Sequence, residues 1–442
     1  MLEVEAPEGA NAGKIRLRLH QKIPMSRDLD TLDIIGNDTY AKNGYPHEAW
    51  TLLRREDPIH WNTRNIINPF WAVTKHADIV WISKQPDRFL NRPRLAAFPE
   101  MMPPEGAVIV RHLLNMDPPD HALFRKLASH RFTPRGLERM RRDIELITRD
   151  LLDAMMGDGG DQQGDLVERL SAPLPLQVLA ELLGVPREMW PTMFDWTNRV
   201  IGSADPEYQQ AGDDAFQTAQ KARLALFGYF AEMARARRAK PTDDIVSLVA
   251  NAEVGGAALP ERELLSYYFL LVVAGNETTR NAMTGGLLAF LEHPEQWERL
   301  RRDPSLIDSA VEEIVRWTTP VIQFCRTATE DVVIRGVQIR AGDNLCLFYP
   351  SANRDEEVFD DPFQFRIDRH PNRHLAFGIG EHFCLGANLA RLELRVVFRH
   401  LATRLAKCEL AGPVERLRSS FVGGIKRMPI RYRLEKGTEL NS

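Results

Sequence analysis

Cysteine is scarce in this chain: four in 442 residues, at Cys325, Cys346, Cys384 and Cys408. No two are spaced as Cys-x-x-Cys, so a zinc site of that kind is excluded, and four scattered thiols make no disulfide framework. Nor does Cys-x-x-Cys-His occur, which excludes covalent c-type haem attachment. Long hydrophobic runs are missing too. The longest stretch without a charged residue is 13, from Leu264 to Asn276, whereas a membrane span needs ~20. The N-terminus, MLEVEAPEGANAGK, has no apolar segment and carries acidic residues. Neither a signal peptide nor a membrane anchor is expected, and the expected location is cytoplasmic. An excess of either charge is also lacking: 57 Lys+Arg against 61 Asp+Glu gives a net charge of −4. That balance argues against a nucleic-acid binder, which carries a strong basic excess.

What is present is the composition of a folded globular protein, 44% hydrophobic and 27% charged. Length alone would allow about three domains, but neither an internal repeat nor a composition shift marks a linker. The expectation is a loose arm over 1–15 followed by a single domain over 16–442. Helical patterning dominates from about 118 to 320, with breaks at Gly157–Gly160, Pro186, Gly202-Ser203 and Gly255-Gly256. After the last break, Pro260-Glu261 makes a favourable helix start. The helix it opens runs to about His293 and is apolar nearly all round from Leu264 to Val273, so it is expected to cross the core. Strands are expected at Phe70–Thr74, Ile79–Ile82, Val332–Ile334, Val337–Ile339 and Leu345–Phe348, and a last helix at Gly386–Arg404. Between Arg92 and Gly106, four prolines among bulky apolar residues predict a long ordered binding loop. The fold class is therefore mainly α with small β-sheets.

Three constellations carry chemistry. In Phe377-Gly378-Ile379-Gly380-Glu381-His382-Phe383-Cys384-Leu385-Gly386, a glycine-framed loop sets Cys384 just before a helix N-terminus. Backbone amides and the helix dipole there favour thiolate, the ligand that a haem-thiolate iron needs. A cysteine in such a place, taken alone, is equally a small buried side chain. In Ala274-Gly275-Asn276-Glu277-Thr278-Thr279, a carboxylate and hydroxyls interrupt the apolar helix, and burying a carboxylate is costly without a purpose. Gly275 would let a ligand approach the backbone, and Thr278 can bond back to the Ala274 carbonyl, opening the helix locally. In Glu313-Ile314-Val315-Arg316, a carboxylate and a guanidinium share one helix face among apolar neighbours.

The Cys384 string resembles the Phe-x-x-Gly-x-His/Arg-x-Cys-x-Gly loop of cytochrome P450 enzymes. The other two constellations look like that family's acid–alcohol motif and its Glu-x-x-Arg pair, and the resemblance covers about 30–435. It implies the cytochrome P450 fold, with non-covalent haem b between the long central helix and the helix after the Cys loop. Cys384 would be the axial ligand of the iron. Phe377, His382, Gly386, Ala274 and Gly275 would line the cofactor, and His121, Arg125 and Arg326, with His382, would meet its propionates. Thr278 would steady dioxygen and Glu277 would feed it protons. Glu313 and Arg316, with Arg369 as third member, would brace the Cys loop.

The implied activity is a monooxygenase that hydroxylates an unactivated C–H bond of a hydrophobic substrate. The string from Gly275 to Asn281 looks most like bacterial members acting on steroids, terpenoids or long-chain and branched lipids. Phe98, Met101, Met102, Val108, Leu270, Ala274, Val321, Ile322 and Val422 are the candidate pocket residues. The alternatives are a hydrogen-peroxide-dependent peroxygenase, or a non-enzymatic haem sensor or lipid-binding protein; an intact Glu277-Thr278 pair speaks against both. The chain shows no flavin or iron–sulfur module, so electrons from NAD(P)H would arrive through ferredoxin reductase and ferredoxin. The expected dock is a basic cluster of Arg111, Lys126, Arg131, Arg135, Arg139, Arg141 and Arg142.

Overall fold

A computed structural model describes residues 29–64, 66, 68–97 and 111–436. The arm over 1–15, most of the proline-rich loop, and Phe98, Met101, Met102 and Val108 lie outside the described residues. The helix opened by Pro260 runs Glu261–Glu292, ~48 Å at the α-helical rise. It packs against the helices Pro173–Leu183, Trp190–Ile201, Ala215–Ala239 and Ile307–Thr318. Its apolar circumference is satisfied by neighbours on every side, with one departure: between Glu263 and Leu291, only Ala274 is exposed.

A five-stranded sheet lies beside this helical body, in the order Ile59–Asn62, Phe70–Val73, Asn344–Phe348, Gln323–Ala328, Phe89–Leu90. Its pairs are antiparallel except Phe70–Val73 with Asn344–Phe348. The expected strand at Ile79–Ile82 is instead part of a helix, His76–Ser83. Its β-branched residues favour strand only as a weak preference, and burial of Ile79 and Ile82 on one helix face outweighs it. The hairpin Val332–Ile334/Val337–Ile339 and the strand before Phe348 form as expected. The C-terminal strands Leu405–Leu410 and Pro429–Leu434, which join Asp161–Asp165 in a three-stranded sheet, were not anticipated. The last helix, Ala387–Arg404, starts three residues after Cys384. No helix among the described residues is long and apolar enough to cross a membrane.

Candidate functional site

A cavity of about 260 Å³ lies where the central helix faces the Cys384 loop. Leu270, Ala274, Thr278 and Ala282, each four residues apart, present one stripe of the helix to it. Phe377, Gly378, Cys384, Gly386, Leu389 and Ala390 form the opposite wall. The exposure of Ala274 in the middle of a buried helix is therefore exposure to this interior space.

Cys384 is the one exposed cysteine of the four, and the cavity is what it is exposed to. Its backbone N–H donates to the Phe377 carbonyl at 2.8 Å, closing the loop. Burial pushes the thiol up, while amides of Gly386 and Ala387 and the cations Arg125 and Arg391 pull it back toward thiolate. Gly386 has ordinary negative φ (−86°) and nothing within 4 Å of an added Cβ. Its glycine is demanded by whatever lies flat in the cavity, not by the backbone.

At the edge of the cavity, His121, Arg125, Arg326 and His382 converge. The rings of His121 and His382 face each other at 4.0 Å. Burial, then Arg326, His121 and Arg125, push His382 down to about 2; burial and Arg125 push His121 down to about 4. Glu381 lies 3.9 Å from His121 Nδ1, and the Asp117 carboxylate, which accepts from the Asn91 backbone N–H at 2.7 Å, also acts on His121. The charged donors of this edge are the two guanidiniums, with the two imidazoles held neutral beside them. Asn91, which sequence reasoning missed, also lines it and contacts His382 Nε2 at 2.5 Å.

A haem brings four nitrogens of its own to iron, an open axial position and two carboxylates. The cavity fits that set: one thiol on one wall, a flat glycine beside it and four basic side chains at one edge. Among the described residues no cluster of three or more His, Cys, Asp or Glu could hold a metal by itself, so a single protein donor suits an iron that arrives already ligated.

The acid–alcohol motif has the local geometry expected and one feature that was not. Thr278 Oγ1 donates to the Ala274 carbonyl at 2.8 Å, yet the helix runs on unbroken. Glu277 is 2% exposed and forms an ion pair with Arg280, while Asn281 Nδ2 donates to its Oε1 at 3.2 Å. Arg280 in turn donates to Asn198 Oδ1 (3.1 Å), and Asn276 Nδ2 to Thr197 Oγ1 (3.1 Å), tying this turn to the helix Trp190–Ile201. The i, i+3 spacing of Glu277 and Arg280 was the available signal for this lock. Gly275 also has a packing role. It borders the cavity, but a Cβ there would meet Leu179 Cδ1 at 2.7 Å. Its missing side chain lets a neighbouring helix close in at the border of the cavity.

Of the remaining pocket candidates, Leu270, Val321 and Val422 line the cavity, the last two joined by a β-bridge. Ile322 does not: it precedes the strand Gln323–Ala328 and is buried in the cluster that includes Trp50, Cys325 and Phe348. Leu179, Ile201, Phe324 and Phe421 also line the cavity. They come from four separate segments, and no sequence pattern links them. Glu313, Arg316 and Arg369 form a buried triad, with Glu313–Arg316 at 2.7 Å and Glu313–Arg369 at 3.2 Å. The His374 side chain is buried nearby, its Nε2 3.1 Å from Glu312 Oε2.

This arrangement is a cavity with a single thiol on one wall and basic side chains at one edge, in a mainly helical fold. The family model for cytochrome P450 matches residues 175–410. A methyl-branched lipid omega-hydroxylase of Mycobacterium tuberculosis is 39% identical over 413 residues, covering 92% of this chain and 94% of that protein. A steroid C26-monooxygenase of Mycolicibacterium smegmatis is 39% identical over 415 residues, with the same coverage. Among solved structures, a Mycobacterium marinum cytochrome P450 in complex with pseudoionone matches with a TM-score of 0.85 at 35% identity, covering 92% of this chain and 100% of that one. The chain belongs to the cytochrome P450 family and is a monooxygenase of that family.

Proposed function

We propose that this enzyme hydroxylates an unactivated C–H bond of a steroid, terpenoid or fatty-acid-like lipid. The observation that carries the reading is the apolar lining that Ala274, Leu179, Val321, Phe421 and Val422 give the cavity. Similar proteins named for methyl-branched lipids, steroids and linalool, and a structure bound to pseudoionone, support that substrate class. Haem b, bound without covalent attachment, supplies the iron at which dioxygen is activated. The chain contributes the rest. Cys384 holds the cofactor from one wall, and His121, Arg125, Arg326 and His382 pair with its carboxylates. The apolar chamber excludes water and presents the substrate C–H bond. Thr278 Oγ1 is the hydroxyl that borders both the helix and the chamber, and Glu277 is the carboxylate behind it. Both partners of Glu277 fall on Oε1.

Titrating the ferric holoprotein with steroids, terpenoids and branched fatty acids, and following the Soret band and the oxidised product, tests the substrate class. A lack of any shift or product across all three would overturn it. Thr278→Ala is expected to bind substrate normally but to lose roughly tenfold or more in product per NAD(P)H, the electrons appearing as peroxide. An unchanged yield per NAD(P)H would remove Thr278 from proton handling. Ala274→Phe should keep haem but weaken substrate by about tenfold or more, about 1.4 kcal/mol. Wild-type affinity in that variant places the substrate elsewhere.

Electrons are assigned to a ferredoxin, itself reduced by a ferredoxin reductase. The basic cluster expected to receive it is partly neutralised: Arg131 and Arg139 both pair with Asp243, Arg111 with Asp120 and Glu263, and Arg141 with Glu138. Lys126, Arg135 and Arg142 are exposed and carry the field that would steer an acidic partner. Reduction by a ferredoxin should slow as salt rises, and slow again in Lys126→Glu/Arg135→Glu. Rates indifferent to both changes put the dock on another face.

A further inference from the structure

A second cavity, of about 300 Å³, adjoins the first. The chain passes from the wall of one to the wall of the other within two residues at three places: Ala282 to Asn281, Pro320 to Thr318, and Val422 to Gly423. The Val321–Val422 bridge stands between them. Nothing in the haem chemistry uses this second space.

Its lining is aromatic and cationic. Arg354 is 2% exposed, and its guanidinium lies 4.3 Å over the ring of Trp317. Its terminal nitrogens donate to the carbonyls of Arg316 (3.2 Å) and Trp317 (3.0 Å), capping the helix Ile307–Thr318. Its Nε, buried, has no partner. Arg416 borders the same cavity without a carboxylate partner among the described residues. Asn281 Oδ1 and His47 Nδ1 are also buried there without a hydrogen bond. Burial, then the charges of Arg354, Arg54 and Arg316, hold the His47 imidazole well below its usual range. The one carboxylate that borders the space is Glu292, which is exposed. A buried donor left unpaired costs about 1–3 kcal/mol, and here the Nε of Arg354 is such a donor, in a space that a second guanidinium, Arg416, also borders.

We propose that this second cavity is a binding site for a small organic anion with a flat apolar body, of the aromatic carboxylate class. The carboxylate sits with Arg416 and the Nε of Arg354, and the ring lies among Tyr45, Trp317 and Phe363. Charge-assisted hydrogen bonds to guanidinium supply the specificity, and the aromatic walls supply apolar contact. The site is independent of which substrate the haem cavity accepts.

The test is calorimetric titration of the ferric holoprotein with benzoate, and with benzamide as its neutral counterpart, the visible spectrum being recorded alongside. Benzoate is expected to bind saturably with no Soret shift, and benzamide not to bind. Arg416→Gln and Asn43→Asp, the latter placing a carboxylate at an exposed lining position, should each weaken benzoate about tenfold or more. Neither residue belongs to the haem site, so haem content and substrate turnover stay as in the parent. Absence of saturable binding would leave a cavity that holds water only and overturn the proposal. So would equal binding of benzamide, unchanged binding in both variants, or a Soret shift tracking occupancy, which would put the anion beside the haem.

Discussion

Cys384→Ser is expected to abolish monooxygenase turnover and to remove from the reduced carbon monoxide complex the Soret position typical of thiolate ligation. The reasoning is one of charge. Amides of Gly386 and Ala387 and the guanidiniums of Arg125 and Arg391 all act on Sγ in the sense that favours its anion. A serine hydroxyl is too weak an acid to use that help, so the same loop would offer a neutral, harder and weaker donor. No other cysteine can stand in: Cys325 and Cys346 are buried in the sheet, and Cys408 lies on the strand beyond the last helix. Retention of the thiolate spectrum in the serine variant would refute the assignment of Cys384.

Glu313→Gln is expected to prevent accumulation of folded, haem-loaded protein. Glu313 is fully buried and accepts from Arg316 Nε and a terminal nitrogen (2.7 Å each), Arg369 Nε (3.2 Å), the Arg366 amide (2.9 Å) and Asn372 Nδ2 (3.0 Å). Burial alone would raise this carboxyl; the hydrogen bonds and charge of Arg316, with Arg366 and Arg369, outweigh it and hold it below its usual range. Two guanidiniums share one carboxylate, so glutamine leaves both as buried, uncompensated cations. Breaking a buried pair in this way costs about 3–5 kcal/mol, a large part of the ~5–15 kcal/mol by which domains are stable. The damage reaches the site through Asn353. Its carbonyl accepts from Arg316 (2.8 Å), while its Oδ1 accepts from the Leu375 amide (2.7 Å), two residues before Phe377. Arg369→Lys keeps the charge and should give a milder loss, read as reduced haem content and a lower Tm. Parental Tm and haem content in the glutamine variant would show that the triad braces nothing.

The parts of the site that could be read from sequence are those punctuated locally. Glycines and one cysteine mark the loop before the last helix, and Pro260 marks the start of the central one. The parts that could not be read are those made by contact across the chain. Gly275 carries no local sign that Leu179, 96 residues earlier, occupies the place of its Cβ. Arg280 was in plain view beside Glu277, but only the partner helix, through Asn198, shows it to be buried. Ile79–Ile82 has the composition of a strand and became a helix because tertiary burial outweighs a preference worth at most ~1 kcal/mol. Ile322, apolar and next to Val321, was placed in the chamber, and only its burial beside Trp50 and Phe348 shows that it points elsewhere.

The bridge between Val321 and Val422 bears on how the protein is made. A ribosome delivers Val422 101 residues after Val321. The strand Pro429–Leu434, which must pair with Asp161–Asp165, comes later still. Tyr432, whose hydroxyl donates to the Met155 carbonyl, waits on a partner 277 residues upstream. The nascent chain therefore carries an open-sided chamber until Val422 has emerged to meet Val321. A messenger or protease that cuts the chain before Val422 would leave no partly active enzyme. It would leave an unsealed apolar interior, the kind of species that quality control recognises first.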